Sequence, residues 1–478
     1  MQAPIAQEMP AEVSEMSSAP PRPNAFLTAP LGAVFARTAL PIILVMSVNG
    51  LLTVVDAIFL GVYVGADAVS AITVIFPLTM ATFALSTLVT AGMASLLARR
   101  LGAGDEAGAR DVFASAHGLS LCLGAALAAL LVLAGWPAVM LAAGGNHLLA
   151  AMAWEYLAIS MLTSPLMFVL SLHADGLRNE GRAGLMALLS VFVSLANIAL
   201  NYLLIAVLEL GVAGSALGTA LAQALALALV LGLRLRMQTP LPLSSLLRHR
   251  WWGGWGRILA LGAPPSLGFL GIGLISAVIV AAVQVQGAGD YAATTAAYGI
   301  VTRVLSFGFL PLMGLGQAMQ AIVGNNVGAG QFARSDAALK LALGISALYC
   351  LLLELVMQML SGRIGGIFVD DPAVIAEVTR ILPVMTVAYV VIGPNLMLAS
   401  YFQSIGDAPR AAVLSLTKPF LLAPLLIATL SAALGEPGIW LAPPLADALM
   451  AGVALVLLWQ LARGTARRPG PLPGRRGA

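Results

Sequence analysis

The chain has 478 residues, of which 60% are hydrophobic and only 9% charged, with a formal net charge of +3. A soluble globular protein carries roughly 25% charged residues, so the composition excludes a chain made mainly of soluble domains and points to an all-α polytopic membrane protein. No nucleic-acid partner is expected, and two cysteines in apolar segments, Cys122 and Cys350, make neither a disulfide framework nor a CxxC metal pattern.

Residues 1–33 are rich in Pro, Ala and Ser and carry Glu8, Glu12 and Glu15. They lack the basic start and short apolar core of a signal peptide, and read as a disordered cytoplasmic tail. A span needs about 20 mostly apolar residues. Six such segments follow, at 34–62, 68–97, 111–134, 151–173, 183–207 and 212–235. A basic cytoplasmic loop at 236–256 separates them from six more, at 257–285, 292–323, 335–360, 376–402, 411–432 and 438–462. Residues 463–478, rich in Arg, Pro and Gly, read as a second disordered tail. Prolines inside the spans, such as Pro41, Pro77, Pro165 and Pro311, predict kinks.

Basic residues set the orientation. One set of connections carries Arg99, Arg100, Arg110, Arg178, Arg182, Arg234, Arg236, Arg248, Arg250, Arg257, Arg334, Lys340, Arg410 and Lys418. The opposite set carries Asp67, His147, Glu209, Asp290, Asp370, Asp371 and Glu436. Both termini are therefore expected in the cytoplasm, with the chain in a bacterial inner membrane.

The chain repeats itself. Leu101-Gly-Ala-Gly-Asp recurs as Val327-Gly-Ala-Gly-Gln, and the loop at Glu180-Gly181 recurs at Ile405-Gly406. Two matches at nearly one offset predict an N-lobe over 34–235 and a C-lobe over 257–462. Six spans in each give the lobes the same orientation, hence two parallel six-helix lobes related by a pseudo-two-fold axis along the membrane normal. That is a transporter architecture with its binding site between the lobes.

Polar residues within the spans are the candidate site. Asn49, Thr53 and Asp56 share one face of the first span. An ionised carboxylate in hydrocarbon is costly, so an intramembrane acid marks a functional site by default. Ser190, Ser194, Asn197 and Asn201 form a polar stripe on the fifth span. Asp56, Asn201 and Thr219 on the sixth span all lie about 10 Å below the outer surface at a rise of about 1.5 Å per residue. A carboxylate level with amides and a hydroxyl suits a proton or a small hard cation such as Na⁺, and interhelix glue is the structural alternative. Arg303, Glu354 and Asp447 lie in the outer half of the second lobe, where Arg303 either pairs with one of the acids or lines a cavity. Asp175 lies at the cytoplasmic mouth of the fourth span, and Glu155 and His173 are expected at interfaces. Met313, Met319, Met357, Met385 and Met397 either wall a loosely selective cavity or simply pack. There is no P-loop, no HExxH and no GxSxG elbow.

Several stretches resemble the MATE (multidrug and toxic compound extrusion) transporters, within the bacterial multidrug-efflux branches. They are Asp56-Ala-Ile-Phe-Leu-Gly, Gly102-Ala-Gly-Asp, Leu177-Arg-Asn-Glu-Gly181, Ala297-Tyr-Gly-Ile-Val-Thr-Arg303, Gln320-Ala-Ile-Val-Gly-Asn-Asn-Val-Gly-Ala329 and Tyr401-Phe-Gln-Ser-Ile-Gly406. The resemblance runs from about residue 34 to 460. It implies an H⁺- or Na⁺-coupled antiporter, not an enzyme, that exports amphipathic organic cations by rocker-switch alternating access, as a monomer in the bilayer and with no cofactor or transition metal. The family's first-span acid falls on Asp56, its span-5 pair on Asn197 and Asn201, and its span-6 threonine on Thr219. Where some members have a second acid on span 5, this chain has Asn201. Residues 264–285 and 383–402 contain no acid either, which places the coupling on Asp56. The alternatives are a flippase or exporter of a lipid-linked or amphipathic metabolite, and an intramembrane lipid-modifying enzyme.

Overall fold

The computed structural model describes residues 24–286 and 291–462. A short helix, α1 (Ala25–Thr28), precedes the first lobe, which comprises α2 (Leu31–Tyr63), α3 (Ala66–Gly102), α4 (Glu106–Ala142), the bent pair α5 (His147–Leu162) and α6 (Ser164–Asn179), α7 (Ala183–Val207) and α8 (Gly211–Arg236). The linker holds α9 (Ser244–Arg248). The second lobe comprises α10 (Trp255–Gln286), α11 (Tyr291–Gly328), α12 (Phe332–Phe368), the bent pair α13 (Pro372–Thr386) and α14 (Ile392–Ile405), α15 (Ala408–Leu434) and α16 (Glu436–Ala462). Among the described residues ten helices are long and apolar enough to cross a membrane, and the two bent pairs, at 46° and 47°, bring the count to twelve when each is one span. The fold is the expected all-α, two-lobe arrangement of twelve spans.

The sequence repeat is a structural repeat. Gly104 and Gly330 have φ of +71° and +75°, and Gly181 and Gly406 have +79° and +89°, a region open mainly to glycine. The same capping bonds recur beside them. Asp105 N–H donates to Arg100 O at 2.9 Å and Gln331 N–H to Asn326 O at 2.8 Å, while Arg182 N–H reaches Leu177 O and Asp407 N–H reaches Phe402 O, both at 2.8 Å. These turns sit at the basic end of the bundle, where the arginines gather.

The lobes meet toward that end. A Cβ built on Gly102 would lie 2.0 Å from Asn325 O, and one on Gly328 would lie 2.0 Å from Arg99 O. Gly102 and Gly328 are repeat partners, and so are Arg99 and Asn325, so the pseudo-two-fold exchanges the two contacts. A second crossing brings Gly92 against Ile258 O and Gly262 against Leu88 O. Ser95 donates to Gln403 O at 2.5 Å, Gln320 Nε2 to Ala91 O at 3.2 Å, and Ser266 to Ala84 O at 2.7 Å. One apolar core, including Ile42, Leu177, Met319, Ile322 and Phe402, runs through both lobes here.

The tail expected over residues 1–33 gives way to folded chain at Asn24; residues 1–23 and 463–478 and the loop acid Asp290 lie outside the described residues. Asn24 Nδ2 donates to Asn325 Oδ1 at 2.9 Å, Asn326 Nδ2 and Arg334 Nε both donate to Phe26 O at 3.2 Å, and Arg334 also reaches Ala29 O. Phe26 is buried in the shared core. These bonds, and the burial of one aromatic ring, outweigh the entropy cost that keeps Pro- and Ser-rich sequence disordered.

Candidate functional site

Asp56, Asn197, Asn201 and Thr219 come together in the first lobe. Asn201 Nδ2 donates to Asp56 Oδ1 at 2.7 Å and to Asn197 Oδ1 at 3.2 Å, and Asn197 Nδ2 donates to Thr219 Oγ1 at 2.9 Å. Three helices supply the set. α7 supplies both amides one turn apart, so that they stack on one face. Asn197 and Asn201 are buried, and α7 passes into a π-helical stretch at Tyr202–Val207 immediately beyond Asn201. Asn201 Oδ1 has no donor. It rests against Gly218, where a Cβ would lie 2.0 Å away. The first-span carboxylate is thus met by one amide donor and by no cation among the described residues. The side chain of Thr53 lies outside the described residues. Ser194 turns back to its own helix, donating to Ser190 O at 3.0 Å.

Thr219 also borders a cavity of about 90 Å³ between α3, α5, α6 and α8. Its lining is mostly apolar, and Thr79, Thr82, Tyr156, Ser160, Ser164 and Gln223 add polar groups to it. Ser164 Oγ is buried with no partner. A space of this size has room for several waters, and a buried hydroxyl without a partner is a group that ordinarily holds one. The hydrogen-bonded chain from Asp56 therefore ends at the edge of this cavity.

The second-lobe expectations are corrected. Arg303, Glu354 and Asp447 do not pair with one another. Glu354 accepts from the Val390 N–H at 2.9 Å, capping the turn that joins α13 to α14. Asp447 is buried and pairs with Lys418 at 2.5 Å. Lys418, expected in a basic loop, stands ten residues inside α15 at the start of a π-helical stretch, Lys418–Leu422. A charge so deep needs a partner, and α16 supplies it. Arg303 is exposed, with no hydrogen bond or ion pair among the described residues. Asp175 pairs with Arg178 at 3.0 Å, and Arg178 reaches Gln317 and, at 3.1 Å, Gln320 across the lobe boundary. It belongs to the closed basic end. His173 is not interfacial but fully buried, its ring 5.2 Å from that of His117. Met319, Met357 and Met397 are buried packing residues and not cavity walls.

Sequence reasoning missed Lys418, Gln317 and Gln320. Only the depth of Lys418 within a helix that starts at Ala408 marks it from sequence. The glutamines carry no signal without the lobe contact.

A family model, MatE, matches residues 41–203 and 271–427. The chain belongs to the MatE family. A MatE protein is a transporter and not an enzyme, and this one is a multi-pass membrane protein. The chain is 27% identical over 442 residues to a FAD transporter from Shewanella oneidensis, covering 91% of this chain and 96% of that one. It is 23% identical over 442 residues to the multidrug export protein MepA of Staphylococcus aureus, covering 91% and 95%. Among solved structures, an outward-facing multidrug resistance MATE transporter aligns with a TM-score of 0.82 at 22% identity, over 93% of this chain and 98% of that one. A Pyrococcus furiosus transporter described as having a binding pocket of reversed polarity aligns with a TM-score of 0.81 at 21% identity, over 93% and 98%.

Proposed function

We propose that this MatE protein is an antiporter of the bacterial inner membrane, with both termini in the cytoplasm. It exchanges one inward-moving H⁺ or Na⁺ for an amphipathic organic compound leaving the cell. The observation that carries the reading is the Asp56–Asn201–Asn197–Thr219 chain. A single carboxylate, approached by one amide and lacking a protein cation, has one negative charge to neutralise. One proton or one monovalent cation does so, and carboxylate, amide and hydroxyl oxygens suit either. Alternating access by rocking of the lobes is supported by where they touch. Most of the named interlobe bonds and backbone approaches lie in the half of the bundle nearer the basic end, which the arginines assign to the cytoplasm, and the Ser266–Ala84 bond lies at mid-helix. The cytoplasmic end is thus closed and the cleft opens outward. The relatives support drugs, toxic organic compounds or a flavin nucleotide as cargo. The chain acts as a monomer, since each copy contains both lobes and the cleft between them.

The test is transport in proteoliposomes under separately imposed pH and Na⁺ gradients. Asp56→Asn keeps the hydrogen bond from Asn201 but removes the charge. It should insert normally and lose ion-driven efflux by a factor of 100 or more while passive counterflow persists. Full gradient-driven efflux by the variant would refute the coupling role.

A further inference from the structure

Arg303 has no role in the chemistry described so far. It stands on α11, twelve residues after Tyr291, or about 18 Å along the helix. It is exposed and unpaired among the described residues. A guanidinium at that depth does not face lipid without a large penalty, so it faces water. The helix face says which water. Ala293, Ala297, Tyr298, Ile300 and Val301 pack into the C-lobe core. Further along the helix Arg303, Ser306 and Phe307 are exposed, on a face turned away from most of that core. Arg303, Phe307 and Leu310 share that face at i, i+4 and i+7. It points at the other lobe: a Cβ on Gly50 of α2 would lie 3.2 Å from Leu310 Cδ1 and 3.6 Å from Phe307 Cε1. One step deeper, a Cβ on Gly314 would lie 2.7 Å from Ile43 Cγ1. The two helices therefore run antiparallel, and Arg303 comes about one turn outward of the Gly50 contact. That is the floor of the outward cleft, within about a turn in height of Asp56.

We infer that Arg303 is the seat for an acidic group of the exported compound, with the half-exposed Phe307 ring beside it taking the apolar part. The cargo class is then amphipathic anions or zwitterions bearing a phosphate, sulfonate or carboxylate, and not organic cations alone. A guanidinium offers a planar fork of donors that matches such groups bidentately, and no acid among the described residues occupies it. Asp56 does not compete, because it points to Asn201 inside the N-lobe while the Gly50 face of α2 meets α11. The inference rests on the export reading above but is tested apart from it.

The experiment is equilibrium binding to the full chain in nanodiscs, without any gradient, using FAD and riboflavin as a pair that shares the flavin ring and differs in the pyrophosphate and adenosine. Wild type should hold FAD more tightly than riboflavin. Arg303→Gln should weaken FAD at least ten-fold and leave riboflavin within two-fold, and Arg303→Lys should recover most of the difference. The inference is overturned if wild type does not prefer FAD. It is equally overturned if Arg303→Gln binds FAD as wild type does, or loses both flavins alike, as a residue needed only for closing the cleft or for folding would. Failure of Asp56→Asn to abolish gradient-driven transport removes the coupling reading and leaves this comparison intact.

Discussion

Single residues differ most in how they meet the problem of charge in a membrane. Asp56 has one amide donor, Arg303 is exposed without a partner among the described residues, and Asp447 has Lys418. Only the last is a complete ion pair, and its acid is buried while Lys418 is partly exposed. Removing one partner of a buried pair costs about 3–5 kcal/mol, because the remaining charge is left uncompensated, whereas replacing both by apolar groups of similar volume is close to neutral. Lys418→Ala should therefore lower the melting temperature in detergent markedly, and Lys418→Met with Asp447→Leu should recover most of the loss. Equal destabilisation in single and double variants would show that Lys418 acts through something other than this pair. The pair was illegible in the sequence, because its members are on different helices and span boundaries drawn from hydropathy alone left Lys418 with the basic loop residues. The Asp56 cluster was legible because two of its members share one helix at i and i+4, and the third and fourth fall at the same depth on their own spans. Arg303 was legible as a charge that either pairs or lines a cavity, and the sequence could not choose between the two, since its exposure depends on how far the lobes diverge.

At the scale of elements, glycines decide where helices touch. The repeat was readable because a left-handed turn residue leaves a Gly in the same place in each copy. What was not readable is that two of these repeat glycines also carry the lobe contact. Gly102 and Gly328 each lie where any side chain would collide with the other lobe's backbone. Overpacking of this kind costs about 1–3 kcal/mol, and it acts only on the state in which the basic end is closed. Gly102→Ala or Gly328→Ala should thus shift the conformational balance toward the opposite state by about 5–150-fold, and by similar amounts because the contacts are equivalent. Spin labels at Val62 on α2 and Ala296 on α11, in a background without Cys122 and Cys350, would read this as a shorter distance across the acidic end. Unchanged distances in both variants would remove the glycines from the gate. The same scale explains the misplaced His173. A bent pair of helices, not one straight span, carries it beneath the linker and against His117.

For the whole molecule, cargo charge determines how the membrane potential enters the cycle. A potential of 100 mV, inside negative, contributes about 2.3 kcal/mol per charge moved. Taking one cation in and sending one anion out moves two charges in the same electrical sense. A neutral cargo moves one, and a monovalent cation exchanged one for one moves none. With a potassium diffusion potential imposed on proteoliposomes, export of FAD should accelerate more than export of riboflavin, and that of a monovalent cationic dye should not change. A potential effect independent of cargo charge would mean that the carried anion is neutralised before it crosses.

The short helix α1 has a consequence for the return from the opposite state. Its polar contacts are with Asn325, Asn326 and Arg334 of the C-lobe, yet only Ala29 and Pro30 separate it from α2 of the N-lobe. It is a ligand for one lobe tied by a two-residue leash to the other. A site served by a short tether sees its ligand at an effective concentration in the millimolar range. Under the proposed rocking of the lobes, α1 would find its seat without a search each time they swing back, and the basic end would reseal by an intramolecular binding event.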